Sequence, residues 1–166
     1  MRKPSPADLA ALILRAREAA EDILRALPAG TPAAARSHTE RPVLDAPARV
    51  LEHVPASVRN GRKEHFLAFY VNARSQLVCA ETVSIGTLSA SLVHPREVFG
   101  PAISHSAAAL IVVHNHPSGD CSPSAEDKDA TRRLCRSGQL LGIPLLDHLI
   151  VSDQGFFSFK EQGLLS

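Results

Sequence analysis

Nothing in this chain would obviously take it into a membrane, onto a nucleic acid or through an oxidising compartment. No apolar run approaches the ~18 residues that a bilayer-spanning helix needs. The chain opens Met1-Arg2-Lys3-Pro4, but Asp8, Arg15 and Arg17 interrupt the apolar residues after it, so a signal-peptide core is missing. Lysine and arginine total 18 against 17 aspartates and glutamates, a formal net charge of +1. That near-balance gives no general electrostatic case for nucleic acid or anionic lipid, and direct nucleic-acid binding is not expected. The three cysteines, Cys79, Cys121 and Cys135, are odd in number and irregularly spaced. They do not form a disulfide framework, and a reducing cytoplasm is the expected setting. Internal repeats are absent. What is present is 166 residues with a hydrophobic share of 45%, enough for one globular domain and a small appendage.

Along the chain, Leu9, Leu12, Ile13, Ala16, Ala20, Ile23, Leu24 and Leu27 recur at helical spacing, predicting an amphipathic helix over about 6–27. Its apolar stripe calls for burial against the main domain or against a second copy of the chain, which would make a homo-oligomer. Pro28, Gly30, Pro32 and Pro42 mark a Pro/Ala-rich linker, so residues 1–40 are read as helix plus linker and 41–166 as the main domain. Asp45-Ala46-Pro47 looks like a helix start, with Val50, Leu51, Val54 and Val58 as the apolar face of one short helix. Phe66–Val71 and Leu77–Ile85 form a hairpin around Asn72-Ala73-Arg74-Ser75, and 88–93 supplies a third strand. A helix opens at His94-Pro95, a buried strand covers Ala108–Val113, and a second helix runs from Ser124 to about Leu141. Strands at Pro144–Val151 and Phe156–Phe159 close the chain. Such alternation predicts an α/β domain with helices covering a mixed central sheet.

The most informative stretch is Val112-Val113-His114-Asn115-His116-Pro117-Ser118-Gly119, continuing to Ser124-Ala125-Glu126-Asp127. His114 and His116 stand two residues apart at a strand end, so both imidazoles face one way. Pro117 ends the strand, and Asp127 sits in the first turn of the next helix. Two neutral imidazoles and a carboxylate make a three-ligand set suited to a catalytic Zn²⁺, with a fourth position for water. Hydrolysis would further need a base and an oxyanion donor. Glu81 draws attention as a charge flanked by Ala80, Val83 and Ile85, with Asp120, Glu126 and Glu97 as alternatives and Glu126 expected to turn away from Asp127. Ser124 has the spacing of an N-cap to Asp127, or would serve as oxyanion donor. Asp147 and His148 are adjacent on a strand and so face opposite ways, one expected in internal hydrogen bonding and the other peripheral. Cys121 is expected to be an uninvolved thiol, His94 a helix-start residue, and His105 a helix-surface residue. Lys128, Arg132, Arg133 and Arg136 are expected to be a solvated helix face.

His-x-His, ten residues, then Asp, with a distant Glu, resembles the JAMM motif of the JAB/MPN metallopeptidases. The wider pattern is similar to the RadC-like branch. It takes in Arg41-Pro42, Glu81 with Gly86-Thr87-Leu88, and His94-Pro95-Arg96-Glu97-Val98-Phe99. The His-Asn-His-Pro-Ser-Gly run, Thr131-Arg132-Arg133-Leu134 and Leu146-Asp147-His148-Leu149-Ile150-Val151 complete it. The resemblance implies a three-layer α/β/α fold like that of cytidine deaminases, with Zn²⁺ held by His114, His116 and Asp127. It further implies Glu81 as general acid/base, Ser124 as oxyanion stabiliser, and hydrolysis of a peptide or isopeptide bond in a peptide or protein substrate. The alternative is a metal-containing binding or scaffold module, linked to DNA repair by the name of the branch. Full-length relatives usually carry a helix-hairpin-helix region ahead of this domain; only one helix and a linker are expected here, which weakens the DNA connection. A zinc deaminase is disfavoured because the Pro-Cys-x-x-Cys ligand segment is missing.

Overall fold

Apolar side chains alternate along the central strands in a way that demands cover on both faces of the sheet. A computed structural model of the chain describes residues 41–86 and 93–165. The helix expected over 6–27, its role in oligomerisation, the linker and nearly all of the strand expected over 88–93 lie outside the described residues. The elements run α1 (Pro47–Leu51), α2 (Ala56–Arg59), β1 (Glu64–Val71), β2 (Leu77–Gly86), α3 (Pro95–Ser104), β3 (Ala109–Asn115), α4 (Ala125–Leu141), β4 (Leu145–Val151) and β5 (Phe156–Ser158).

Among the described residues, five strands form one mixed sheet in the order β2-β1-β3-β4-β5, with β2 and β5 at its edges. Only β3 and β4 pair in parallel; the other neighbours are antiparallel. A parallel pair cannot be joined by a tight turn, and α4 supplies the crossover. Phe66, Ala68 and Tyr70 of β1, with Leu110 and Val112 of β3, face one core containing Val98, Phe99 and Ala102 of α3 and Leu134 and Cys135 of α4. The intervening Leu67, Phe69, Val71, Ile111 and Val113 face a second core closed by Val50, Val54 and Val58. Helices on both sides of a mixed sheet make the three-layer α/β/α arrangement.

Two local expectations are corrected. The single helix expected from residue 45 is two short ones, because Pro55 precedes α2 and interrupts the helical backbone between them. Asp45 does not cap α1, whose N-cap is Ala46 with no side-chain hydrogen bond; Asp45 instead pairs with Arg49 at 3.3 Å. Strand β1 begins at Glu64, two residues before the apolar run. That extension matters for the site.

Candidate metal centre

Each candidate donor is placed by a different local device. His114 is carried by the buried end of β3, and only 1% of its surface is exposed. Phe66, its partner across the β1–β3 ladder, stacks on the ring with centroids 5.9 Å apart and planes 11° from parallel. His116 comes just beyond the strand, where its backbone N–H still donates to the Val151 carbonyl at 3.1 Å. The chain then turns back through Gly119, whose amide donates to the His116 carbonyl and whose φ of +85° is a conformation that favours glycine. Asp127 arrives on the first turn of α4. A capping box fixes it: Ser124 Oγ accepts from the Asp127 amide at 3.0 Å, and Asp127 Oδ2 accepts from the Ser124 amide at 2.8 Å.

The three donors converge. His114 Nε2 lies 3.0 Å from His116 Nε2 and 3.2 Å from Asp127 Oδ1, and His116 Nε2 lies 3.5 Å from Asp127 Oδ2. The hydrogen bonds behind them decide which ring nitrogens carry protons. Thr131 Oγ1 donates to the Asp127 carbonyl at 2.6 Å, so its single proton is committed and it must accept from His148 Nδ1 at 2.7 Å. His148 Nε2 is then an acceptor and takes the proton of His114 Nδ1 across 2.8 Å. His116 Nδ1 donates to the Asp120 carbonyl at 2.7 Å. Both Nε2 atoms therefore turn a lone pair toward the carboxylate, and an acceptor-only meeting point calls for a cation. A proton at the meeting point would serve in place of the cation: burial raises the Asp127 carboxyl, but the hydrogen bonds with His114 and His116 made through such a proton outweigh it and hold the group well below the usual carboxylate range. The hydrogen bond to Asp127 raises His116 despite the opposing effect of burial, with the charge of Glu64 contributing in the same direction. Both shifts report the same preference for positive charge at the meeting point. Two imidazole nitrogens and one carboxylate oxygen fit a Zn²⁺ with an open fourth position.

These donors stand in a cleft of about 460 Å³ whose lining includes Glu64, Phe66, Pro117, Ser118, Ser124 and Glu126. Glu126, expected to turn away, is an exposed part of that lining. The structure brings Ser124 to the site, but its hydroxyl donates to Asp127 Oδ2 at 2.7 Å, so contact with an oxyanion would require that proton to turn away.

Glu81 is not brought to the cleft. Ala68 pairs with Glu81 on one side and Val112 on the other, which puts Glu81 two strands out and two residues back from His114. Strand spacings make that about 12 Å between Cα atoms. Its carboxylate instead meets His105 Nε2 at 2.9 Å. Glu64 is the carboxylate that β1 contributes to the cleft lining. Phe66 opposes His114 in an antiparallel ladder, so Glu64, two residues earlier on the same face, stands level with His116. Asn115 secures this placement from the opposite face of β3. It is fully buried, accepts from the His65 amide at 2.7 Å and donates to the Lys63 carbonyl at 3.1 Å. Extending the two-residue alternation of Phe66, Ala68 and Tyr70 backward by one step would have found Glu64 in the sequence.

The surroundings correct one further expectation. Asp147 and His148 do face opposite ways, but neither is peripheral: Asp147 is buried and accepts from Ser158 Oγ at 2.6 Å and the Lys160 amide at 3.0 Å. Burial keeps His148 well below the usual histidine range, hence neutral, and its ring stacks on Phe159. The Cys121 thiol bonds to Ser152 Oγ at 3.1 Å and is not part of the cleft lining.

Comparison with known proteins identifies the family. A family model described as a RadC-like JAB domain matches residues 44–164. A UPF0758 protein from Geobacillus thermodenitrificans is 49% identical over 144 residues, covering 87% of this chain and 64% of that protein. One from Bacillus licheniformis is 44% identical over 165 residues, covering 99% of this chain and 74% of that protein. The chain thus spans a little under two thirds of the length of the Geobacillus relative. With the family model matching most of the chain, and with so similar a relative, the chain belongs to the RadC-like JAB domain family.

Proposed function

We propose that this domain is a zinc-dependent hydrolase that cleaves a peptide or isopeptide bond. The observation that carries the reading is the convergence of three lone-pair donors, His114 Nε2, His116 Nε2 and an Asp127 carboxylate oxygen, beside a fourth residue able to move a proton. His114, His116 and Asp127 would hold Zn²⁺. A zinc ion bound there would act as a Lewis acid and bring the pKa of water down to about 7.

The chain's own residues supply the rest. Glu64, level with His116 at the cleft wall, is the group to take the proton of the attacking water and deliver it to the leaving amide nitrogen. Bond making and breaking then balance: the carbonyl gains an oxygen, the C–N bond breaks, and the nitrogen leaves as an amine carrying the proton. Ser124 has a double assignment. Its amide and hydroxyl fix Asp127 Oδ2, and the hydroxyl is a neutral donor in the cleft lining that would turn to a developing oxyanion. His148 and Thr131 hold the His114 ring in the tautomer that presents Nε2.

The test is a mass-spectrometric screen of peptides and isopeptide-linked peptides against the chelator-treated and zinc-restored protein. Zinc-restored cleavage that Glu64→Gln abolishes supports the reading. Cleavage that survives Glu64→Gln contradicts the assignment of the base. A protein that binds zinc but cleaves nothing in a broad panel favours a binding module instead.

A further inference from the structure

Away from the cleft, on the edge strand of the sheet, a second set of donors meets. Cys79 and Glu81 stand two residues apart on β2 and share a face, opposite Tyr70 and Ala68 of β1. His105 is the C-cap of α3, with its backbone amide donating to the Pro101 carbonyl at 2.9 Å. The hydroxyl of Tyr70 donates to the Val98 carbonyl at 2.9 Å and ties α3 to the sheet, while the His105 ring lies 6.2 Å from that of Tyr70. As a result His105 Nε2 comes within 2.9 Å of Glu81 Oε1, and Cys79 Sγ lies 3.9 Å from the same oxygen. One donor atom from each of the three lies within 4.8 Å of the other two.

We propose that Cys79, Glu81 and His105 form a second divalent-metal site, selective for a borderline-soft ion such as Zn²⁺, that clips the edge strand β2 to helix α3. A histidine–glutamate ion pair alone would account for one of these contacts. The thiol that strand alternation places beside the same carboxylate oxygen adds a softer donor. Sulfur, nitrogen and oxygen from three residue types, on a strand and a helix end already fixed to each other, make a ligand set that discriminates against Mg²⁺ and Ca²⁺, which take oxygen. In a tetrahedral zinc site with the usual bond lengths, neighbouring donors are roughly 3.4–3.8 Å apart. The sulfur–oxygen separation is already close to that. The nitrogen–oxygen separation must open by about half an ångström, and Glu81 and His105 are both partly exposed and free to adjust. Binding displaces the proton of the Cys79 thiol and so tightens as pH rises. Three ligands leave one position for water. The site depends neither on the cleft donors nor on hydrolysis.

The test is a Co²⁺ titration of the chelator-treated full chain, monitored by absorption. A near-ultraviolet sulfur-to-cobalt charge-transfer band is expected, saturating at one thiolate-bound cobalt per chain, because none of the cleft donors is a cysteine. The band disappears in Cys79→Ser. In His105→Ala, a change at an exposed helix end outside the core, it requires about tenfold or more additional cobalt. It persists in Cys121→Ser and in the His114→Ala, His116→Ala double variant. A wild-type chain that gives no band overturns the proposal, and so does a band that survives Cys79→Ser.

Discussion

The His114 ring is held from behind by a histidine where many zinc ligands have a carboxylate, and a neutral partner places its own demands on the residues around it. His148 can accept the His114 proton only if Thr131 accepts the His148 proton in turn. Thr131→Val, which keeps the shape and removes the hydroxyl, is therefore expected to weaken zinc binding about 10–100-fold, as measured by competition with a chromophoric chelator. Neutral His148 also has a consequence for acid stability. Its folded pKa lies below the unfolded value of about 6.5, so the unfolded state binds a proton that the folded state refuses. Its contribution is full above about pH 6.5 and is lost as pH falls toward the folded value. His116, raised, works in the opposite direction but by a smaller shift. The urea midpoint of metal-free protein is accordingly expected to fall between pH 7.5 and 5.5, and to fall less in His148→Phe. An equal fall in both would refute this role for His148.

At the same scale lies the difference between Glu81 and Glu64. Glu81 stood out in the sequence because apolar residues flank it, but β2 is an edge strand whose positions are only partly buried, and a carboxylate is tolerated there. Glu64 sat in a polar run, Arg62-Lys63-Glu64-His65, that reads as loop. Its side of the sheet follows only once β1 is known to begin at Glu64, so that the alternation of Phe66, Ala68 and Tyr70 extends back to it. Glu64→Gln is expected to reduce turnover by about 10²–10⁴ with zinc content unchanged, and Glu81→Gln to have no such effect. Steady-state rates matched to metal analysis distinguish them.

Among the elements, the β3–turn–α4 unit was the most legible. An apolar run, a proline stop, a turn glycine and an N-cap serine each act within a few residues, and together they leave one local path. The hydrogen bonds of Asn115 were not legible, because they join it to residues 50 and 52 positions away in the chain. Asn115→Ala leaves the His65 amide and the Lys63 carbonyl without a protein partner and is expected to destabilise the fold by about 1–3 kcal/mol, measured by denaturant unfolding. Faster hydrogen exchange at the His65 amide would locate the loss. The other end of α4 gives a second element-scale test. A Cβ at Gly138 would lie 2.6 Å from the Ile143 carbonyl oxygen, a backbone atom with little room to retreat. Alanine gains up to about 1 kcal/mol in helix propensity over glycine, but overpacking against backbone costs about 1–3 kcal/mol. Gly138→Ala is therefore expected to lower the thermal midpoint; a raised midpoint would contradict the close approach.

For the whole molecule, the layered α/β class was readable from alternating elements, but the strand order was not. Which strand neighbours β3 on each side depends on contacts between distant segments, and that order decides which carboxylate reaches the histidines. With β1 on one side of β3 and β4 on the other, the cleft receives Glu64 from one neighbour and His148 from the other. Among the described residues no helix is long and apolar enough to cross a membrane.

In the proposed centre His114, His116 and Asp127 hold Zn²⁺ through nitrogen and oxygen donors only. X-ray absorption at the zinc edge, on the Cys79→Ser chain loaded with one equivalent of zinc, tests this most directly. A first shell of nitrogen and oxygen at about 2.0–2.1 Å is expected, with the outer-shell scattering of two imidazoles, and His116→Ala in the same Cys79→Ser chain is expected to lose the bound zinc. Sulfur in the first shell, or zinc bound equally well by the Cys79→Ser, His116→Ala double variant, would contradict it.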